Sequence, residues 1–473
     1  MLGLRPILGS LFGISLPPTV ALFLTFGFII FLFRRDVRQR TNLSGALWLP
    51  LLWMLISLSR HVSEWLAIIG VPLTGNVSVE EGSPLDAFCY FALIAAGAYV
   101  LSKRQVINGK LFERNGWLMA FLLCCFLAIV WSDFPFVAFK RWIKVLGNPI
   151  MALIVLTEPD FKEGLLRLMK RIGFVFLPLS ICFIKYFPEI GRKYDEFTGL
   201  PLNSGAAGGK NMLGCACMLL GFFFCWRLLQ VWKSERGRAR RNELILTAGL
   251  LLMILYLFKL AHSATSMVCL AVGGMVVVAL GMRSINKRYI GIYLIAVIIS
   301  LAIAQFTFSI STYLLEILQR DATLTTRTEV WADLLKMKIN PVIGVGFESF
   351  WLGDRLTQMH VGRSWQPNEA HNGYLETYIN LGFVGLFMLG GLLIATFRKI
   401  RVQLLDDFEW GRFRLGLFLI IVLYNLTEVS FRGPHPLWVM FYIIAFDYVN
   451  PWQGEAGIGE TTEGEEEEEL AYV

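Results

Sequence analysis

Apolar residues in this chain come in long unbroken runs, not in period-2 alternation or narrow helical stripes. The runs lie near 17–33, 44–59, 86–101, 117–132, 144–157, 172–187, 211–231, 244–261, 266–282, 289–308, 374–397, 414–431 and 435–449. A helix crossing a bilayer needs about 17–25 such residues. A helix apolar on every face has no polar side to give to water, so its solvent is lipid or the interior of a helical bundle. The pattern predicts an all-α, polytopic membrane bundle of about twelve to fourteen transmembrane helices.

The polar segments between the runs alternate in charge. Arg34, Arg35, Arg38 and Arg40 follow the first run, Lys103, Arg104, Lys110 and Arg114 the third, and Lys162, Arg167, Lys170 and Arg171 the fifth. Lys233, Arg236, Arg238, Arg240 and Arg241 follow the seventh, Arg283, Lys287 and Arg288 the ninth, and Arg398, Lys399, Arg401, Arg412 and Arg414 the eleventh. Cytoplasmic loops carry the excess of Lys and Arg, so one orientation satisfies all of them. It puts 60–85, 132–143, 188–210, 309–373 and 432–434 on the outer side. The longest, 309–373, exceeds what a connector needs and is where function is expected.

Composition agrees. Hydrophobic residues are 56% of the chain and charged residues 17%, against roughly 25% charged in soluble domains. Mean hydropathy is +0.59. No polar stretch is long enough for a second domain, so residues 1–453 read as one membrane domain. Residues 454–473, with GETTEGEEEEEL, read as an acidic, disordered cytoplasmic tail. The net charge of +7 sits in the topological loops, which argues against a nucleic-acid face. The eight cysteines fall in or beside apolar runs and read as small buried hydrophobes, without a disulfide framework or zinc site. The opening MLGLRPILGSLFGISLPP lacks a small-residue cleavage signal and is expected to be retained.

Candidate chemistry gathers on the outer side. In 323–351 the spacing predicts an amphipathic helix with Arg327, Trp331 and Leu334 on one face, stopped by Pro341 and Gly344. An arginine at the membrane surface can grip a phosphate in a bidentate fork; the plainer account is an arginine snorkelling to the interface. In 368–391, a helix starting near His371 would place His371, Tyr374, Tyr378, Gly382 and Gly385 on one face, with Asn372 and Glu376 on the adjacent one. A neutral histidine there can take a proton from a hydroxyl; the plainer account is a satisfied interfacial histidine. In 185–214, glycines 205, 208 and 209 precede Lys210 and Asn211 at a helix start, with Arg192 and Lys193 nearby. Close backbone approach and a helix N-terminus favour an anion such as a diphosphate; a flexible loop ending in a cap is the plainer account. Glu428 and Arg432, four residues apart, read as a mutual ion pair. No Asp-rich or His-rich cluster points to a metal.

These blocks resemble the O-antigen ligase and polymerase family of bacterial envelope enzymes, in the form seen in exopolysaccharide polymerases. His371-Asn372 followed by Gly382-Phe383-Val384-Gly385 is similar to the family's outer-loop histidine motif. The Arg327, Trp331, Pro341, Gly344, Gly346 block resembles the segment before it, and 205–214 a third motif; the likeness covers about 190–400. The resemblance implies a glycosyltransferase of the bacterial inner membrane that needs no metal or cofactor. Its donor would be a glycan on undecaprenyl diphosphate and its acceptor another lipid-linked repeat or lipid A core. Arg327 would hold the diphosphate and His371 would activate or orient the acceptor hydroxyl, with Lys210, Asn211, Arg192, Asn372 and Glu376 binding substrate. Ligases usually carry a Ser-Arg pair at the outer end of a later span. Here that segment reads His262-Ser263-Ala264-Thr265-Ser266, which favours the polymerase branch and leaves Lys210 or Arg192 to substitute.

Two other readings stand beside this one. A transporter or flippase of lipid-linked sugars would need polar groups deep in several spans, and the candidates cluster instead at outer ends. An envelope scaffold would use the acidic tail as a docking arm.

Overall fold

Every apolar run forms a helix. They are Pro18–Arg38, Gly45–Leu58, Pro84–Lys103, Gly116–Leu127, Pro135–Leu156, Phe161–Tyr186, Lys210–Lys233, Arg238–Ala261, Ala264–Leu280, Ile290–Phe308, Gly373–Asp406, Phe408–Tyr424 and Pro436–Ala445. The computed structural model describes residues 16–38, 42–71, 82–106, 109–194, 199, 201–233, 235–308, 327–363 and 366–448. The acidic tail and residues 309–326 of the long loop lie outside them. All eight cysteines are free. The fold is all-α but for one short antiparallel pair among the described residues, Arg192–Tyr194 with Pro201–Asn203.

Pro84–Lys103, Lys210–Lys233, Arg238–Ala261 and Gly373–Asp406 are long and apolar enough to cross a membrane unaided; Gly45–Leu58 and Val62–Ile68, bent by 65° at a short break, qualify together. So four to five helices among the described residues meet that measure alone, fewer than the twelve to fourteen expected. The others fall short for physical reasons. Gly116–Leu127, Ala264–Leu280 and Pro436–Ala445 are short, and Phe161–Tyr186 carries Arg167, Lys170 and Arg171.

The core forms around Lys210–Lys233, 72% of whose apolar window is buried. Small residues let neighbours approach closely: Gly416 lies against Phe222, and Gly273 against Ile420. Pro436–Ala445 is buried at every residue.

The basic loops meet at one end of the bundle. Arg167 and Arg171 pair with buried Asp36, Lys170 with Glu243 at 2.6 Å, Arg104 with Glu158 at 2.6 Å, Lys162 with Asp407 at 2.5 Å and Lys233 with Glu409 at 3.4 Å. Arg401 reaches the Arg288 carbonyl. The opposite end gathers the loops around 59–61, 188–210, 262–265, 327–372 and 425–435, joined by Arg60 to Ile190, Thr265 to Thr427 and Arg327 to Glu428. The charge alternation therefore corresponds to a real division into two ends.

At the second end, two backbone segments interlock. The helix Gly373–Asp406 leaves helical geometry at Gly382 (φ 63°, ψ −160°). The freed groups are satisfied by the turn at Pro341–Gly346: Phe383 N–H donates to Pro341, Val384 N–H to Val342, Gly346 N–H to Asn380 and Val345 N–H to Ile379, at 2.8–3.1 Å. Side chains have no room at this crossing. An added Cβ at Gly382 would stand 2.3 Å from the Val342 backbone, and one at Gly344 2.3 Å from the Asn380 backbone. This corrects the single continuous face expected for His371, Tyr374, Tyr378, Gly382 and Gly385. The helix begins at Gly373, after His371, and breaks at Gly382, because a long-range backbone contact outweighs the local helical period.

Gly382→Ala and Gly344→Ala should each destabilise the protein by about 2 kcal/mol or more, since both combine a left-handed φ with backbone overlap. Thermal unfolding in detergent should show a lowered midpoint for both, and an unchanged midpoint for Gly390→Ala, where an added Cβ meets nothing within 4 Å.

Candidate active site

The site is built by three chain reversals at the end of the bundle opposite the basic loops. Arg327 opens the helix Arg327–Lys336. One turn on, Trp331 donates from Nε1 to the Ala370 carbonyl at 2.7 Å, bracing the residue before His371. His371 lies in the left-handed region at φ 48°, a conformation that costs a non-glycine residue energy and persists only where its surroundings impose it. Asn372 caps the following helix by accepting from Tyr374 and Leu375 N–H groups at 3.0 Å, and its amide donates to the Leu426 carbonyl at 3.0 Å. The third reversal follows Phe408–Tyr424 and carries Thr427 and Glu428.

Glu428 joins these pieces. Its Oε1 lies 2.7 Å from Arg327 Nη2, and its Oε2 lies 3.3 Å from His371 Nδ1 and 3.5 Å from Asn211 Nδ2. A second hydrogen bond runs from Arg327 to the Thr427 carbonyl. Glu369 Oε1 lies 3.1 Å from the same Nδ1. The carboxylates only accept, so a neutral His371 carries its proton on Nδ1 and its basic lone pair on Nε2.

Burial alone would depress the His371 pKa. The hydrogen bond to Glu428 and the charges of Glu369 and Glu428 outweigh it and hold the pKa above the ordinary histidine value. For Glu428, burial pushes the carboxyl up, but His371 and Arg327 more than reverse this and keep it below the usual range. Glu369 moves the other way, raised by burial despite His371 and Arg432. The two carboxyls are thereby separated, with Glu428 the firm anion.

The other sequence-named residues divide. Asn211 belongs to the cluster, and Lys210 precedes it as the first residue of Lys210–Lys233. Arg192 is drawn elsewhere: its Nε donates to the Ile184 carbonyl at 3.0 Å, and no bond among the described residues joins it to Glu428. Asn372 is occupied as a cap. Glu376 is buried, with both oxygens engaged by Trp351 Nε1 (3.0 and 3.1 Å), the Ala370 N–H (2.9 Å), Asn380 (3.2 Å) and Arg432 (3.1 Å). It braces the His371 loop from below.

The expected Glu428–Arg432 pair does not form. The helix ends at Tyr424, so the four-residue spacing carries no helical contact, and each partner bonds a different segment: Glu428 to Arg327 and His371, Arg432 to Glu376. Glu428 is the member of this cluster that sequence reasoning did not place there. Its signal was an acidic residue at the end of an apolar run, where a lone charge requires a partner. The segment 262–266 also reaches the site, since the Thr265 and Thr427 hydroxyls lie 2.8 Å apart.

Glu369, His371 and Glu428 present ligand atoms within 4.8 Å of one another, a spacing that could hold a cation. Arg327 shares the same carboxylate. A cavity of about 420 Å³ lies at the basic end, lined by Lys162, Lys399, Trp410, Arg414 and Asp447, away from this cluster.

The O-antigen ligase family profile matches residues 248–390, a stretch that contains Arg327 and His371. The chain is also 27% identical over 309 residues to the exopolysaccharide production protein ExoQ of Rhizobium meliloti (strain 1021). That match covers 62% of this chain and 66% of the relative, just under two thirds of its length.

Glu376→Ala should cost about 3 kcal/mol, because it strands the Arg432 guanidinium and the Trp351 and Ala370 donors together. Equilibrium unfolding should report the loss, and Arg432→Ala in the same background should add less than it does alone.

Proposed function

Proceeding from an O-antigen ligase/polymerase-like membrane protein, we propose that this chain joins lipid-linked glycans at the outer face of the bacterial inner membrane. The donor is a glycan on undecaprenyl diphosphate. Chain growth onto another lipid-linked repeat fits better than ligation to lipid A core, because 262–266 has no arginine and the similar protein is named for exopolysaccharide production. The observation that carries the reading is the convergence of Arg327 and His371 on the single carboxylate of Glu428.

The chemistry follows from that arrangement. The acceptor hydroxyl attacks the anomeric carbon; the bond to the diphosphate oxygen breaks, and the diphosphate leaves with the electron pair. His371 Nε2 takes the hydroxyl proton. The imidazolium so formed is stabilised through Nδ1 by Glu428 and Glu369, which makes His371 a stronger base than a free imidazole. Arg327 supplies a fixed positive charge to the departing diphosphate, with Lys210 and Asn211 beside it. Glu428 holds base and clamp in register, since each reaches the same carboxylate by a different oxygen. Cationic side chains and positioning meet the needs of this reaction, so the activity is proposed to be metal-independent.

His371→Ala and Arg327→Ala should each reduce transfer from a purified lipid-diphosphate donor by about 10²-fold or more, at normal protein levels; near-wild-type transfer by either variant would sink the assignment. Because the His371 pKa is raised, the basic form is lost as pH falls, and the acid limb of the rate profile should lie above the ordinary histidine value. Glu428→Gln removes one of the charges that raise it, so that limb should move to lower pH while the maximal rate drops. A chelator should leave wild-type transfer unchanged; loss restored by a divalent cation would instead assign Glu369, His371 and Glu428 to a metal.

A further inference from the structure

The cavity at the basic end is not used by the proposed reaction. Its volume, about 420 Å³, is that of a ligand pocket. Two cations stand in its wall, Lys399 on Gly373–Asp406 and Arg414 on Phe408–Tyr424. Arg414 is 5% exposed, and its Nε and Nη2 donate to the Ile444 carbonyl at 3.0 and 2.5 Å. Lys399 Nζ donates to Asn115 Oδ1 at 2.8 Å and to the Ala445 carbonyl at 3.1 Å. Both cations are therefore tied to neutral oxygens, and each lies within the field of the other.

The acids nearby do not offset this charge. Among the described residues, Asp447 is the carboxylate that acts on Lys399 and on Arg414. It also lies 3.6 Å from Arg114, and its side chain is 43% exposed. Three cations thus share one half-open acid. Asp407 is taken up by Lys162 at 2.5 Å and by the Trp410 N–H at 3.2 Å. Asp406 lines the cavity as well, but it is exposed to water. Cations drawn out of water call for anionic partners, and this wall is short of them.

The polypeptide leaves the described residues at this same cavity. Tyr448 lines it, and residues 449–473 carry eight glutamates and no lysine or arginine. Glu455 follows Tyr448 by seven residues, which allows about 25 Å of reach, and the later glutamates have more. Covalent attachment holds these carboxylates beside the cavity at an effective concentration on the order of millimolar.

We propose that the cavity walled by Lys399 and Arg414 is the docking site for the chain's own acidic segment, residues 454–473, whose glutamates supply the counter-charge. The site is independent of the proposed transfer reaction, since it lies away from the Arg327–Glu428 cluster.

Binding to the full chain tests it. In one variant, Glu455, Glu460, Glu463 and Glu465–Glu469 are all replaced by glutamine, which frees the cavity. A fluorescent peptide of residues 454–473 is titrated onto this variant and onto wild type in detergent. The variant should bind the peptide at least about tenfold more tightly, because the wild-type segment competes from within its own chain. Lys399→Gln in the variant background should weaken binding about tenfold, the scale of one charge-assisted contact. Arg283→Gln, on a basic loop outside the cavity, should leave it unchanged. A second measurement needs neither substitution. A photo-cross-linker placed at Gln403, in the cavity wall, should attach to residues 454–473 of the same chain, as read by mass spectrometry on mixed isotope-labelled and unlabelled protein. Equal peptide binding by wild type and the glutamine variant overturns the site. So do equal losses in Lys399→Gln and Arg283→Gln, which mark a general attraction to basic loops, and cross-links that miss 454–473 or join labelled to unlabelled chains.

Discussion

A carboxylate removed from water at a membrane surface is costly unless cationic partners surround it. Glu428 is such a group, 5% exposed, and it is made tolerable by Arg327 and His371, which arrive on separate segments. Neither partner is held there by local sequence. Arg327 comes with a short helix of the long outer loop, and His371 comes with a left-handed residue ahead of a capped helix. The demand of one buried acid for charge therefore draws these loops together. Around it lies a second layer, in which Glu376 and Arg432 brace the loop that carries His371. The bundle contributes rigidity: ion pairs tie its basic end, and the crossing of 341–346 with 379–384 ties the other.

On the proposed reading, this arrangement lets one site combine a base and an anion clamp. The same carboxylate raises the basicity of the imidazole and orients the guanidinium. A change that loosens Glu428 disturbs both at once, which makes the pair behave as a unit and not as independent contributors.

Much of this was legible in the sequence. Apolar runs report burial in lipid or in the bundle core directly, so each one marked a helix. The alternation of charge marked the two ends, because topology puts Lys and Arg on one side. Arg327, His371 and Asn211 were identifiable as types of residue at an outer surface. What was not legible depends on contacts between distant segments. Glu428 and Arg432 looked like a helical pair, but the helix stops at Tyr424 and each finds a partner elsewhere. Asn372 and Glu376 looked like ligands for substrate, yet a cap and a hub of donors occupy them. The face drawn from His371 to Gly385 failed at Gly382, where the backbone gives up helical dihedrals to meet another loop. Periodicity carries no information about such crossings.

The fully buried helix Pro436–Ala445 has a consequence for biosynthesis. It lies at the heart of the molecule, yet the ribosome makes it after all the other helices among the described residues. The segment with Glu428 and Arg432 emerges just before it. Until both have entered, nascent Arg327 and Glu376 are charges without counterparts. The candidate site is thus completed at a late step of translation, and a polypeptide cut short before residue 428 would lack the carboxylate on which Arg327 and His371 converge.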